Sequence, residues 1–232
     1  MHKVYDWLNS IQGRLFPATC LLCGAPGEAT LDLCPGCRDA LPESGPACVQ
    51  CGAALEAAGP RCGACLKRPP AFDRVRAPFA YASPVDHLLW RLKFRGQLAP
   101  ARVLGQLLAQ AANARTGPLP QLLVPVPLHP GRLRQRGYNQ AVELARPLGR
   151  ALAVPMAPRL CRRQRATAAQ AELTGSARRR NVRGAFAVAG PVPAHVAIVD
   201  DVVTTGSTVG ELARALRRAG VERVEVWAVA RA

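Results

Sequence analysis

A chain of 232 residues has room for one good core, or for a core plus a small module. Its apolar runs are too short and too often interrupted by charge to span a bilayer, and its first residues lack a signal peptide's continuous apolar stretch, so a cytoplasmic protein is expected. The formal charge of +16 points to anionic partners, but an arginine- and alanine-rich composition dilutes that signal, so where the charge sits matters more than its sum.

In chain order, Val4, Trp7, Leu8, Ile11 and Leu15 recur on one face of a short helix. That helix is assigned to residues 1–17 and is expected to dock on the body of the chain, ahead of the alternative of a helix lying on a membrane surface. A cysteine ladder follows in residues 18–68: Cys20/Cys23, Cys34/Cys37, Cys48/Cys51 and Cys62/Cys65 are four C-x-x-C pairs repeating every fourteen residues. Each C-x-x-C turn aims two thiolates at one tetrahedral centre, so eight ligands make two closed, structural zinc sites with no open position for catalysis. Disulfides are the competing reading, disfavoured because nothing marks the chain as secreted. Uniform spacing does not say which pairs share a metal. The likeness of "CLLCGA" to "CVQCGA" suggests a duplicated unit, 20–37 and 48–65, with a crossed arrangement still open. A stretch so poor in large apolar residues needs its metal to stay folded. Cys161 stands apart and reads as a buried, inert thiol.

Pro69 and Pro70 mark a boundary, and residues 69–232 form a second domain. "PVDHLLWRLKF" and "ARVLGQLLAQAANA" read as helices and "LLVPVPL" as an apolar strand. "YNQAVELARPLGRAL" is helical with a kink or break near Pro147. "HVAIVDD" is a buried strand, "GELARALRRAG" a helix ended by Gly220, and "RVEVWAVA" a closing strand. Such alternation predicts a mostly parallel sheet covered on both faces.

Asp200 and Asp201 then emerge at a strand's carboxyl end, where open α/β sheets bind ligands. Adjacent carboxylates repel, so hydroxyls or a positive charge are expected against them. Thr208 and Glu211 have the spacing of a capping box. The N–H groups of the following turn, with Thr204, Thr205, Gly206, Ser207 and Thr208, would cradle a phosphate. Two acceptors for vicinal hydroxyls beside a phosphate cradle describe a site for a ribose 5-phosphate.

These residues resemble a known family. "VAIVDDVVTTGST" is similar to the phosphoribosyl-pyrophosphate (PRPP) signature of type I phosphoribosyltransferases. Together with the cysteine ladder, "LKFRG", "VPVPLHPGRLRQRGYNQ" and "RATAAQAELTGSARRRNVRGAF", it resembles the ComF/GntX branch, the competence proteins of the ComFC kind. The resemblance implies a phosphoribosyltransferase-like, Rossmann-type α/β domain behind a double zinc ribbon. It makes Asp200 and Asp201 the catalytic pair holding the ribose 2- and 3-hydroxyls, and Thr204–Thr208 the 5-phosphate loop. The loop after Val124–Pro127 would contact pyrophosphate, and Arg132, Arg134 and Arg136 behind it would neutralise the leaving group. Magnesium would arrive with PRPP, bridging its pyrophosphate and ribose hydroxyls. His129, in the same loop, is read as a packing or hydrogen-bonding residue ahead of a general acid.

"RLCRRQRATAAQAELTGSARRRNVR" carries eight arginines against Glu172. It reads as a mobile loop closing over PRPP, as a track for a nucleic-acid backbone, or as a solvated basic loop. Two functions follow. One is a PRPP-dependent transferase with an acceptor that no segment identifies. The other is a non-catalytic single-stranded-DNA-binding or regulatory protein of DNA uptake. The resemblance places it at the inner face of the membrane with a helicase-like partner, and a homo-oligomer is a further expected association. Tyr81, Trp90, Phe94 and Tyr138 are the candidate stacking residues, read first as core or as a hood over the ligand.

Overall fold

The computed structural model describes residues 17–56, 60–114, 116–164 and 183–232. Residues 1–16 of the helix expected in residues 1–17, and the centre of the basic loop, 165–182, lie outside the described residues.

The apolar strand ahead of the acid pair is the middle of a parallel sheet. Strand β6 (His195–Val203) pairs with β3 (Leu122–Pro125) on one side and β7 (Arg223–Arg231) on the other. Two short strands, β1 (Arg74–Arg76) and β2 (Phe79–Ala80), lie in succession along the far edge of β7, giving the order β1-β7-β6-β3. Every pairing in this sheet is parallel. Such a sheet must be covered on both faces, and its strands are accordingly near-continuous apolar runs. Helices α3 (Val85–Phe94), α4 (Ala99–Asn113) and α6 (Gln140–Leu152) bury Leu88, Leu104 and Leu144 with Ala197, Val199 and Trp227. Helix α7 (Ser207–Arg218) covers the other face, packing Leu212 and Leu216 with Val196, Ile198 and Val224.

Three local expectations are corrected. Helix α6 runs unbroken through Pro147. Proline costs roughly 3 kcal/mol in a helix interior, and the buried contacts of Leu144 and Leu148 against α4 offset it. Gly105 of α4 supplies the room: a Cβ there would lie 2.5 Å from the Pro147 ring and 2.6 Å from the Leu144 carbonyl oxygen. The Thr208–Glu211 capping box does not form. Gly206 is the N-cap of α7, and the buried Glu211 carboxylate instead accepts from the Gly184 N–H at 2.8 Å and pairs with Arg214 at 2.7 Å. The segment expected as a loop after Pro127 is in part a helix, α5 (Pro130–Arg136). Pro130 in its first turn and Gly137 in the left-handed region behind it are ordinary helix punctuation. An antiparallel pair, β4 (Cys161–Arg163) with β5 (Phe186–Val188), stands apart from the main sheet. Cys161 is buried there and burial pushes its thiol up to about 12, an inert group as expected.

The cysteine ladder folds as two like lobes. Gly24 and Gly52 sit at φ +77° and +71°, where the knuckle turns back and each N–H bonds the carbonyl of Cys20 or Cys48. Short helices α1 (Pro35–Asp39) and α2 (Gly63–Lys67) carry the last cysteine of each lobe. The module is not a free appendage: Leu31, Leu33 and Leu41 join the same core as Leu88 and Leu104. Arg102 pairs with Asp32, and Arg91 donates to the Leu21 carbonyl at 2.7 Å. Among the described residues no helix is long and apolar enough to cross a membrane.

Candidate functional site

The four sulfurs of Cys20, Cys23, Cys34 and Cys37 lie within 4.8 Å of one another, as do those of Cys48, Cys51, Cys62 and Cys65. A tetrahedron with zinc–sulfur bonds of about 2.3 Å has edges of about 3.8 Å. Cys23–Cys34 at 3.6 Å and Cys51–Cys62 at 3.7 Å match that edge. The ladder therefore pairs in sequence order, one structural zinc per lobe. Backbone N–H groups of Cys23, Cys34 and Leu22 outweigh burial and bring the Cys20 thiol down to about 6. Cys48 reaches about 6 by the same means, burial being outweighed by the N–H groups of Cys51, Cys62 and Gln50.

At the carboxyl ends of β3 and β6 lies a cavity of about 800 Å³. Asp200 and Asp201 stand near the end of β6, beyond the apolar run Val196–Val199, and both line the cavity. Both are buried, Asp200 being 9% and Asp201 5% exposed. The charge expected against them is Lys93, at the end of α3, whose ammonium is ion-paired with Asp201.

Burial pushes the Asp200 carboxyl well above its usual range, and the neighbouring Asp201 charge adds to this. Burial works the same way on Asp201, but the Lys93 ammonium and hydrogen bonds outweigh it and hold this carboxyl below its usual range. Lys93 is pulled down by burial, yet the two carboxylates more than offset that and keep it firmly protonated. The two carboxyls are thus set apart: Asp200 resists ionisation, while Asp201 shares its charge with the Lys93 ammonium.

Beyond Val203 the chain turns through Thr204 and Gly206 into α7. Gly206 takes φ +70°, a value that a residue with a Cβ reaches only with strain. Thr204, Gly206, Ser207 and Thr208 line the cavity, which places the positive end of the α7 dipole at its wall. Thr205 is exposed beside them, its hydroxyl 2.7 Å from that of Ser207. Of the three arginines in α5, Arg132 and Arg136 line the cavity and Arg134 does not. Residues four apart share a helix face, whereas the residue between them points away. His129 caps that helix, its Nδ1 accepting from the Gly131 N–H at 3.2 Å. Asn139 ties the β3 end to α6, donating to the Val126 carbonyl at 3.0 Å and accepting from the Ala141 N–H. The Tyr138 hydroxyl donates to the Leu92 carbonyl, next to Lys93.

Lys93 and Arg163 complete the polar wall and were not singled out from the sequence. Lysine's rarity in an arginine-rich chain was the available signal for the first. The second was hidden in a run of basic residues that gave no reason to prefer one over another. The lining sets Lys93, Arg132, Arg136 and Arg163 against two acids, a net attraction for a polyanion that also presents hydroxyls.

Fold and cavity define an α/β protein with a polar cavity beyond the ends of parallel strands and a double zinc ribbon docked on its flank. Residues 11–66 match the family described as double zinc ribbon domain. Competence protein F of Haemophilus influenzae is 38% identical over 228 residues, covering 94% of this chain and 99% of its own. DNA utilization protein YhgH is 40% identical over 221 residues in Salmonella typhimurium and 39% in Escherichia coli K12, covering 93% of this chain and 97% of theirs. The chain belongs to the family of these proteins, the competence protein F and DNA utilization protein YhgH family. Among solved structures, a purine phosphoribosyltransferase from Pyrococcus horikoshii aligns with 59% of this chain and 74% of its own, at 19% identity and a TM-score of 0.32.

Proposed function

We propose that the cavity binds PRPP and that the protein is a phosphoribosyltransferase-like member of its family. One observation carries the reading: the acid pair and the α7 N-terminal turn follow each other on one strand end and line one cavity. Hydroxyl acceptors and a phosphate cradle thereby share one cavity, and Arg132, Arg136 and Arg163 in the same wall would receive the diphosphate. In a transfer, the acceptor's lone pair forms the new bond to the anomeric carbon while the carbon–oxygen bond to diphosphate breaks, its electrons leaving with the diphosphate. The arginines would neutralise that charge. The donor set suits magnesium that arrives on the ligand: diphosphate oxygens would hold it, and it would share the leaving charge.

Calorimetry with PRPP and magnesium tests binding, and release of diphosphate across a panel of bases and nucleic acids tests turnover. Replacing Asp200 and Asp201 together with Asn should weaken PRPP binding at least tenfold. An unchanged affinity would place the ligand elsewhere.

A second reading, single-stranded DNA as a partner, is favoured by the outer face of α3. His87 stacks on Trp90 at 6.1 Å and Trp90 meets Phe94 at 6.5 Å. Trp90 is 41% and Phe94 66% exposed. Arg95 lies over the Trp90 ring at 4.9 Å and Arg136 over Phe94 at 5.7 Å. Exposed rings interleaved with guanidinium groups make a base-stacking ridge with phosphate contacts beside it, and it runs to the cavity mouth at Phe94.

A further inference from the structure

In a chain whose basic residues are otherwise almost all arginine, the group set against the acid pair is a lysine. It is held there. The Tyr138 hydroxyl grips the carbonyl of Leu92, and Arg91 anchors the same turn of α3 to the first zinc knuckle at Leu21. The Lys93 side chain is 21% exposed and that of Asp201 only 7%. Drawing an ammonium out of water into such a place is costly unless a carboxylate compensates it. The Lys93 ammonium thereby cancels the Asp201 charge. Without the lysine, two buried neighbouring carboxylates open to a cavity would attract a divalent cation.

We propose that Lys93 is the resident counter-ion of the acid pair, standing where a divalent cation would otherwise sit, so that pentose hydroxyls bind a Lys93–Asp201–Asp200 cluster without metal. Divalent metal is then needed only at the diphosphate end of the ligand. The inference rests on the PRPP reading above. The choice of lysine follows from geometry. A guanidinium fork would engage both oxygens of Asp201, whereas an ammonium is a point charge that leaves one oxygen of Asp201, and Asp200, to accept or donate to hydroxyls.

The zinc-loaded full chain tests this with two probes, Mn²⁺ alone and ribose 5-phosphate, which lacks the diphosphate. The native protein should take up no Mn²⁺ at the acid pair by electron paramagnetic resonance, and should bind ribose 5-phosphate equally with and without magnesium. Lys93→Met should gain one Mn²⁺ that is lost again when Asp201→Asn is added. Without divalent ions its affinity for ribose 5-phosphate should drop by about tenfold or more, the size of one charge-assisted hydrogen bond, and magnesium should restore it. A merely structural lysine would lower the affinity at every magnesium concentration. Lys93→Arg should exclude Mn²⁺ yet bind the sugar less tightly than the native protein. Mn²⁺ uptake by the native protein that Asp201→Asn abolishes overturns the inference even if Lys93→Met does not fold. So does a Lys93→Met protein that gains no Mn²⁺. Failure of the PRPP reading looks different: neither PRPP nor ribose 5-phosphate then binds any of these proteins, while the Mn²⁺ comparison still decides the role of Lys93.

Discussion

Asp200 and Asp201 are adjacent in sequence and opposite in character, and their substitutions should separate accordingly. Asp200 has its folded pKa raised above the unfolded value, so its contribution to stability is complete in acid and is lost as pH rises, because the unfolded chain can ionise it and the folded one resists. Asp200→Asn should therefore be more stable than the native protein at pH 7, by about 0.5–2 kcal/mol, with the gain gone near pH 4. Asp201 has its folded pKa lowered, so its contribution is present at neutral pH and is lost in acid as pH falls through the folded value. Asp201→Asn also strands the Lys93 ammonium and should cost about 1–3 kcal/mol at pH 7. Thermal melts of the two variants at both pH values check the opposite signs. Mutual repulsion, read from sequence alone, would make removal of both acids neutral or mildly stabilising. Lys93 changes that sum, and no sequence feature puts it beside Asp201.

Helices α4 and α6 meet where glycine faces proline. Gly105→Ala would drive a methyl group to 2.5 Å from the Pro147 ring and 2.6 Å from the Leu144 carbonyl, neither of which is a flexible chain end. The cost should be about 1–3 kcal/mol, seen as a lower urea midpoint with unchanged slope. The zinc lobes behave as two elements, each with its own ligand set. Cys20→Ser and Cys62→Ser should each leave one zinc per chain by elemental analysis, and a protein that keeps two, or loses both, would contradict separate sites. The consequences should differ in kind. Cys20 is part of the main core beside Leu31 and Leu33, whereas the second lobe meets the sheet near Val75 and through Arg231, which donates to the Cys51 carbonyl at 3.3 Å. The first variant should accordingly lower the melting temperature more than the second.

For the whole molecule, the question is how one positively charged surface could serve a small anionic ligand and a long one. If single-stranded DNA runs along α3, Trp90→Ala and Phe94→Ala should each weaken it by about 1–3 kcal/mol while leaving the salt dependence unchanged, because stacking releases no counterions. Arg132→Gln should do the reverse, making the log–log salt slope shallower by roughly 0.7 if that arginine contacts a phosphate. PRPP should compete with the strand if both use Arg132 and Arg136. Fluorescence anisotropy with an oligonucleotide over a salt series reads all three, and absence of binding at low salt removes DNA as a partner of this surface.

What could be read without the fold was whatever is local and periodic. Two metal sites came from a fixed cysteine spacing, because a C-x-x-C turn is a short-range geometry. The strand ending in Asp200 and Asp201 and the helix behind it came from an apolar run, a glycine and a 3.6-residue period. The parallel sheet followed from their alternation. The competence-type family was legible in the motifs that surround them. Most of what departs from the sequence reading depends on partners far along the chain. Pro147 stays helical because Gly105, forty-two positions earlier, makes room for its ring. Glu211 abandons its cap for the Gly184 N–H. Arg134 leaves the cavity because its segment coils into α5. Lys93 reaches Asp201 across more than a hundred residues, and only the packing of α3 on the zinc ribbon and on Tyr138 aims it there. Spacing along the chain specifies short-range geometry; which charge neutralises which is settled by burial, and burial exists only once the chain has closed on itself.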